Sequence, residues 1–308
     1  MRVIIVGLGI QGKKRAGIAG ADCVATVDAY QPEAQYHHVA DVPLHIYDAA
    51  LVCTPDECKI ELLEYFLQHG KHVLVEKPLI ASSNTDLEHL QGLAQQNKVT
   101  CYTAYNHRFE PHFIRMKEVL DSEILGQIYS CRLFYGNGTA RDVRNSPWRD
   151  KHTGVLKDLG SHLLDTVFFW FGNHSYNFRV LRSHNFENTS PDHVVIGSEN
   201  VYAIDLEMSL LSWKNHFTCD LICERGSAHI ESLCKWGPSQ FVLRHRKLPS
   251  GKPTEESITL VQSDPTWEIE YKYFRKICET AHSNIANDLM INAILQNLTS
   301  EVLLGIKK

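Results

Sequence analysis

Lys77 ends the segment Leu74-Val75-Glu76-Lys77-Pro78, a short apolar run closed by an acid, a base and a proline. Open α/β sheets place their ligand crevice at the carboxyl ends of the strands, so a lysine there is partly desolvated. Such an amine gives up its proton more readily and can stabilise an alkoxide or exchange a proton with a substrate hydroxyl. The same spacing also suits a solvated lysine beside a cis or kinked Pro78. Farther along, Asp158, His162 and Asp165 stand at i, i+4 and i+7, one face of a helix. Their neighbours Leu159, Leu163, Val167, Phe168 and Trp170 are apolar, so the polar stripe must meet a cavity or a partner. Spacing alone fits equally a helix satisfied within the fold by His162 paired to Asp158.

A third group binds rather than reacts. In Gly7-Leu8-Gly9-Ile10-Gln11-Gly12 the three glycines have separate tasks: a tight turn, a close backbone approach to a pyrophosphate, and close packing of helix on strand. The stretch Gly7, Gly9, Ile10, Gln11 and Gly12 is therefore expected to cradle a diphosphate at a helix N-terminus, with Lys13, Lys14 or Arg15 adding charge. Asp28 lies 21 positions after Gly7, where a carboxylate accepts hydrogen bonds from both ribose hydroxyls and repels a 2'-phosphate. NAD is expected in preference to NADP, although the three basic residues after Gly12 could also welcome a 2'-phosphate. In the polar loop from Gly136 to Lys151, Arg141, Arg144 and Arg149 with Trp148 suit a carboxylate or phosphate beside an apolar sugar face, or simply a solvated loop.

The elements that must position these residues follow from periodicity. Strands are expected at Val3 to Val6, Cys23 to Val27, Ala50 to Thr54, His72 to Glu76 and Thr100 to Tyr105, alternating with helices over Glu57 to His69 and Asp86 to Gln96. That alternation implies a parallel sheet with crossover helices. Beyond Pro111 come a helix at Phe113 to Leu120, a strand at Ile128 to Tyr135 and a helix from Val155 to Phe171. From His193 to about Leu260, β-branched and aromatic runs separated by turns imply a mainly antiparallel sheet, followed by helices at Thr266 to Ala281 and Asn287 to Gly305. The expected fold class is α/β then α+β: a dinucleotide-binding Rossmann domain over residues 1–108, then an α+β domain over 109–308 with a large, mainly antiparallel open sheet.

Size and composition agree with two cores, since 308 residues exceed what one core usually supports. A net charge of -5 leaves no basic field for nucleic acid or anionic lipid, and no apolar run is long enough for a membrane span. The nine cysteines lack regular spacing and include no Cys-x-x-Cys pair, which points to a reducing, cytoplasmic setting and to no zinc cage. The apolar start is read as a buried strand, not a signal peptide. None of the 17 histidines falls in a recognisable ligand spacing, so no metal is expected.

Three separated segments, the glycine turn, Glu76-Lys77-Pro78 and the helix from Asp158 to Asp165, resemble the Gfo/Idh/MocA family of oxidoreductases. Further matches are Thr54-Pro55, Gly70-Lys71-His72-Val73 and Tyr105-Asn106-His107-Arg108-Phe109. The resemblance implies that Lys77, Asp158 and His162 form the catalytic set. It also implies that Thr54, Pro55, Glu76 and Asn106 line the nicotinamide half of the cofactor, and that Arg108 lies where cofactor and substrate meet. Lys77, Arg108, Trp148, Arg149 and His162 are the expected substrate contacts. The expected reaction is hydride transfer between NAD and a secondary alcohol or hemiacetal carbon of a sugar, sugar acid, cyclitol or nucleotide sugar. An NAD-dependent glycosidase using transient oxidation, or a silent NAD- or sugar-sensing regulator, is the alternative. The resemblance further implies a homodimer or homotetramer built through the open sheet. Two departures stand out: Lys59 where many members carry histidine, and a glycine string before the catalytic helix reduced to Thr153-Gly154-Val155.

Overall fold

The computed structural model describes residues 1–146 and 149–305. It divides into two compact units, Met1–Asn106 with Thr266–Asn292, and His107–Pro265 with the chain from Ala293 onward. The segment 266–292, expected within the second domain, thus packs with the first.

In the first unit the order is β1 (Val3–Val6), α1 (Ile10–Ala19), β2 (Cys23–Val27), β3 (Ala49–Val52), α2 (Lys59–Gln68), β4 (His72–Glu76), α3 (Asn84–Gln96) and β5 (Cys101–Ala104). The five strands run parallel in the order β2-β1-β3-β4-β5. Because helices cover both faces, β1, β3 and β5 are buried at every residue and read as unbroken apolar runs rather than alternating ones. On one face Ile4, Val6, Val52 and Val75 pack with Leu63, Phe66 and Leu67 of α2 and Leu87 and Leu90 of α3. Each such buried side chain contributes roughly 1.5–3 kcal/mol.

The second unit runs α4 (Pro111–Asp121), β6 (Ile128–Gly136), α5 (Ala140–Arg144), α6 (Val155–Asp158), α7 (Gly160–Phe171), β7 (Arg179–His184), β8 (His193–Ser198), β9 (Ala203–Ser209), β10 (His216–Cys223), β11 (Gly226–Glu231), β12 (Ser239–His245) and β13 (Thr254–Leu260). Its eight strands are ordered β13-β12-β11-β10-β6-β9-β8-β7 and pair antiparallel except β6 with β9, which is parallel. One face is buried and the other is not: in β10 Phe217, Cys219, Leu221 and Cys223 point inward while Asp220 and Ile222 are exposed.

The helix expected from Val155 to Phe171 is interrupted at Leu159. Ser161 Oγ bonds the Asp158 carbonyl at 3.2 Å, an alternative to the helical ladder. Gly160 meets Met208 and Leu156 so closely that a Cβ would lie 3.0 and 3.1 Å from their side chains. Two further elements are present: α5, inside the expected polar loop, and β7, ahead of His193.

The closing helices are α8 (Thr266–Cys278) and α9 (Ile285–Gly305). Tyr271, Phe274 and Ile277 of α8 cover the second face of the parallel sheet, against Val3, Ile5, Leu51 and Leu74. That burial is why the segment belongs to the first unit. Among the described residues no helix is long and apolar enough to cross a membrane.

Candidate active site

The residues that follow the parallel strands share one edge of the first sheet. Asp28 follows β2, Gly7 follows β1, Cys53 and Thr54 follow β3, Lys77 follows β4, and Tyr105 and Asn106 follow β5. With the strand order β2-β1-β3-β4-β5, these residues lie along the carboxyl edge in the sequence Asp28, Gly7, Thr54, Lys77, Asn106. The chain switches sides of the sheet between β1 and β3, where doubly wound folds open their ligand crevice.

The glycine turn is built as its spacing requires. Gly7 has φ +91, and a Cβ there would come within 2.7 Å of the Cys53 carbonyl oxygen. A Cβ on Gly12 would overlap the Gly7 carbonyl, so α1 can leave the turn only with glycine at that position. Gly9, by contrast, faces open space, and no side chain caps the start of α1. Its first-turn N–H groups therefore stand ready for an anion. Ile10 is exposed beside them, and so is Gln11.

Asp28 is held by the turn it serves. Its Oδ2 accepts the Leu8 N–H at 2.6 Å, and its Oδ1 accepts those of Tyr30 and Gln31 at 2.9 and 3.1 Å. Burial acts to raise the carboxyl, but these three N–H donors outweigh it and hold it below the ordinary aspartate value. The carboxylate is thus fixed in the charged form.

The three basic residues after Gly12 are engaged elsewhere, which corrects the expected contribution of Arg15 to a diphosphate. Arg15 is 1% exposed and lies between two carboxylates, Glu76 at 2.7 Å and Glu270 at 2.6 Å. Burial would lower its affinity for the proton, yet Glu270 and Glu76 together raise it. Lys13 pairs with Glu33 at 3.0 Å, and the Lys14 ammonium lies 3.8 Å from the Trp267 ring centroid. The buried face of α1, Gly12, Arg15 and Ala19, was legible in the spacing, and it marks Arg15 as an inward-facing charge.

Around β3 and β4 the polar groups converge. The Thr54 hydroxyl is buried and has no hydrogen-bond partner among the described residues, while Pro55 leads into a 3-10 turn over Asp56–Cys58. Lys77 is half-buried and joins Pro78 through a cis peptide bond. Asn106 is buried and donates to Thr266 Oγ1 at 2.8 Å. The residue that sequence reasoning left without a role is Lys59. It is 2% exposed and donates to Asp56 at 2.7 Å and to the carbonyls of Glu76 and Pro78 at 2.6 and 2.8 Å. Burial lowers its proton affinity, and the Asp56 carboxylate opposes that shift. Lys59 shares the apolar phase of Leu63 and Phe66 on α2, a signal that it faces inward.

These residues fit a dinucleotide: an uncapped helix start beside an open glycine for the diphosphate, a fixed carboxylate after β2 for the ribose, and an unsatisfied buried hydroxyl after β3. Among the described residues no group of three or more His, Cys, Asp or Glu could hold a metal ion.

The second unit places the other expected residues. His162 is 5% exposed, and its ring stacks on His107 at 4.0 Å between centroids and 17° between planes. Tyr135 meets His162 edge-on at 5.7 Å. Asp158 is half-buried and takes Arg149 at 3.2 Å. The third member of the polar stripe, Asp165, is 1% exposed and binds Arg108 through Nε at 2.9 Å and Nη2 at 2.6 Å. Arg108, expected near the meeting of cofactor and substrate, is thus held by a two-pronged ion pair. Arg141 and Arg144 lie on α5 and are exposed. Trp148 lies outside the described residues.

Residues 1–105 match the family model described as oxidoreductase family, NAD-binding Rossmann fold, and residues 113–229 match the Gfo/Idh/MocA C-terminal domain. The chain belongs to the Gfo/Idh/MocA oxidoreductase family. Within that family it is 26% identical over 162 residues to an inositol 2-dehydrogenase of Rhizobium meliloti, covering 51% of this chain and 43% of the relative. It is 30% identical over 128 residues to a scyllo-inositol 2-dehydrogenase (NADP(+)) of Bacillus subtilis, covering 41% and 35%. The matches thus span less than half the length of these relatives. Among solved structures, levoglucosan dehydrogenase in complex with NADH superposes with a TM-score of 0.82 at 17% identity, covering 99% of this chain and 98% of that one. An oxidoreductase of Agrobacterium radiobacter in complex with NAD+, L-tartaric acid and magnesium gives 0.79 at 16%, covering 99% and 97%. At such identities the likeness is one of fold.

Proposed function

We propose that this member of the family is an NAD(H)-dependent oxidoreductase acting on a secondary alcohol or hemiacetal carbon of a sugar-like substrate. The observation that carries the reading is the row Asp28, Gly7, Thr54, Lys77, Asn106 along one sheet edge, which sets a ribose-binding carboxylate at one end and an amine with chemistry to offer toward the other. When bound, nicotinamide supplies a two-electron acceptor or donor for hydride at carbon. Asp28, Gly7, Gly9, Ile10, Gln11 and Gly12 would hold the adenosine and diphosphate half, and Thr54, Pro55, Glu76 and Asn106 the nicotinamide half.

NAD is the proposed cofactor in preference to NADP. Asp28 is charged and fixed by three N–H donors, and Lys13, Lys14 and Arg15 are each engaged with other groups. A 2'-phosphate would meet repulsion from Asp28, and the buried Arg15 is already held by Glu76 and Glu270.

The proposed roles follow the chemistry of the side chains. His162 takes the hydroxyl proton as general base, Lys77 stabilises the developing alkoxide, and Asp158 favours and orients the charged form of its partner. Arg149, held by Asp158, together with Trp148 and Arg108, completes the substrate contacts. The substrate class is drawn from relatives named for inositol, levoglucosan and UDP-N-acetylglucosamine. The outward face of the eight-stranded sheet is the proposed contact between copies of the chain.

The test is a thermal-shift comparison of NAD with NADP, followed by NAD reduction on myo-inositol, levoglucosan, glucose 6-phosphate and UDP-N-acetylglucosamine. Stabilisation by NAD above NADP and turnover on at least one polyol are expected. Equal stabilisation by both cofactors would remove the NAD assignment, and cofactor binding without turnover on any substrate would remove the enzyme reading.

A further inference from the structure

Lys59 is a buried cation of the first unit, two of whose three bonds go to the residues that flank Lys77. The side chain is 2% exposed, and its ammonium reaches the Glu76 carbonyl at 2.6 Å and the Pro78 carbonyl at 2.8 Å, the peptide oxygens on either side of Lys77. Its third bond, to Asp56 at 2.7 Å, anchors it to the 3-10 turn that follows Thr54 and Pro55. All three N–H protons of a lysine are thereby used. On the other flank the Glu76 side chain is held by Arg15.

Side-chain packing alone does not call for a charge at this position. Lys59 occupies the helix phase of Leu63 and Phe66, where an apolar residue would pack with no charge to desolvate. Replacing a buried ion pair with apolar groups is often neutral or stabilising. What an apolar residue cannot do is fix two carbonyls on either side of a functional side chain. The two ammonium groups are also close enough for Lys77 to act electrostatically on Lys59.

We propose that Lys59 is the positioning residue for Lys77: by binding the carbonyls of Glu76 and Pro78 it fixes the backbone from which the Lys77 amine is presented. This rests on the reading of Lys77 as the group that stabilises the alkoxide. Holding a reacting group within a fraction of an ångström governs rate, and a displacement of about 1 Å costs up to about 100-fold.

The test uses the full chain, reductively methylated with isotope-labelled formaldehyde, so that each accessible lysine gives a methyl resonance. The Lys77 resonance is assigned by its loss in Lys77→Arg. In the native protein it is expected apart from the resonances of exposed lysines. In Lys59→Met it is expected to move to the position and sharpness of exposed lysines, while NAD still raises the melting temperature. On a polyol that the native protein oxidises, kcat is expected to fall about 10- to 100-fold with KM for NAD changed by less than about twofold. An unchanged Lys77 resonance in a folded Lys59→Met protein overturns the proposal. If the methionine variant does not fold, the double variant Lys59→Met with Asp56→Asn, which removes both charges and the donors to the two carbonyls, is read in the same way, and an unchanged resonance there overturns it equally. Full turnover by Lys77→Ala instead removes the role of Lys77 and leaves the resonance to decide the positioning by itself.

Discussion

Charge buried at chosen points organises both units. Arg15 between Glu76 and Glu270 ties α1, β4 and α8 together, and Glu270 is fully buried. Removing one partner of such a set leaves a charge without compensation, so Glu270→Ala is expected to lower stability by about 3 kcal/mol, read from the urea midpoint. In the second unit Glu110 is 2% exposed; its Oε2 accepts the Cys234 N–H at 3.1 Å, and its Oε1 has no partner among the described residues. Burial pushes its carboxyl above the ordinary glutamate value. A folded-state value above the unfolded one means stability present at low pH and lost as pH rises through the raised value. Glu110→Gln should therefore raise the melting temperature by a few degrees at pH 8, and the gain should vanish as pH falls toward the ordinary carboxylate range. An equal gain at both ends of the range would contradict this. At this scale the sequence names Lys77, Asp28 and the polar stripe, because strand ends and helical spacing expose them. It does not name the partners: Glu270 stands 255 positions from Arg15, and no local spacing connects them.

The glycine turn separates fold from binding within one element. Gly12→Ala would drive a Cβ into the Gly7 carbonyl and should cost about 3 kcal/mol, at the upper end for overpacking. Gly9→Ala meets nothing within 4 Å, so the melting temperature of the protein without cofactor should hold while the stabilisation by NAD is lost. A Gly9→Ala protein that NAD stabilises as well as it does the native chain would exclude the diphosphate from this turn. Element types were readable because β1, β3 and β4 are short apolar runs between helical periods. Three features were not. The amphipathic face of α8, Tyr271, Phe274 and Ile277, says that the helix packs but not on which sheet. The break at Leu159 lies beside a close approach of Met208, distant in sequence, to Gly160. The parallel pairing of β6 with β9 lies among strands that alternate like their antiparallel neighbours.

For the whole molecule, family membership and the two sheets agree, and the open face of the larger sheet is the remaining surface to account for. It presents Ile222 at 40% exposure among cross-strand polar contacts such as that of the His229 ring with Asp220 at 2.6 Å. If copies of the chain meet there, light scattering should give two or four times 35.1 kDa, and Ile222→Arg should return it to the single-chain mass. A native protein of single-chain mass would rule the contact out. In the proposed mechanism Lys77 is the residue that turns a dinucleotide-binding fold into a hydride-transfer catalyst. The direct measurement is the rate of NAD reduction by Lys77→Ala beside the native protein, on whichever polyol the native protein oxidises, with NAD affinity measured in parallel. The expected result is a loss of kcat of about 100-fold or more with NAD affinity nearly unchanged; full turnover by Lys77→Ala would contradict the assignment.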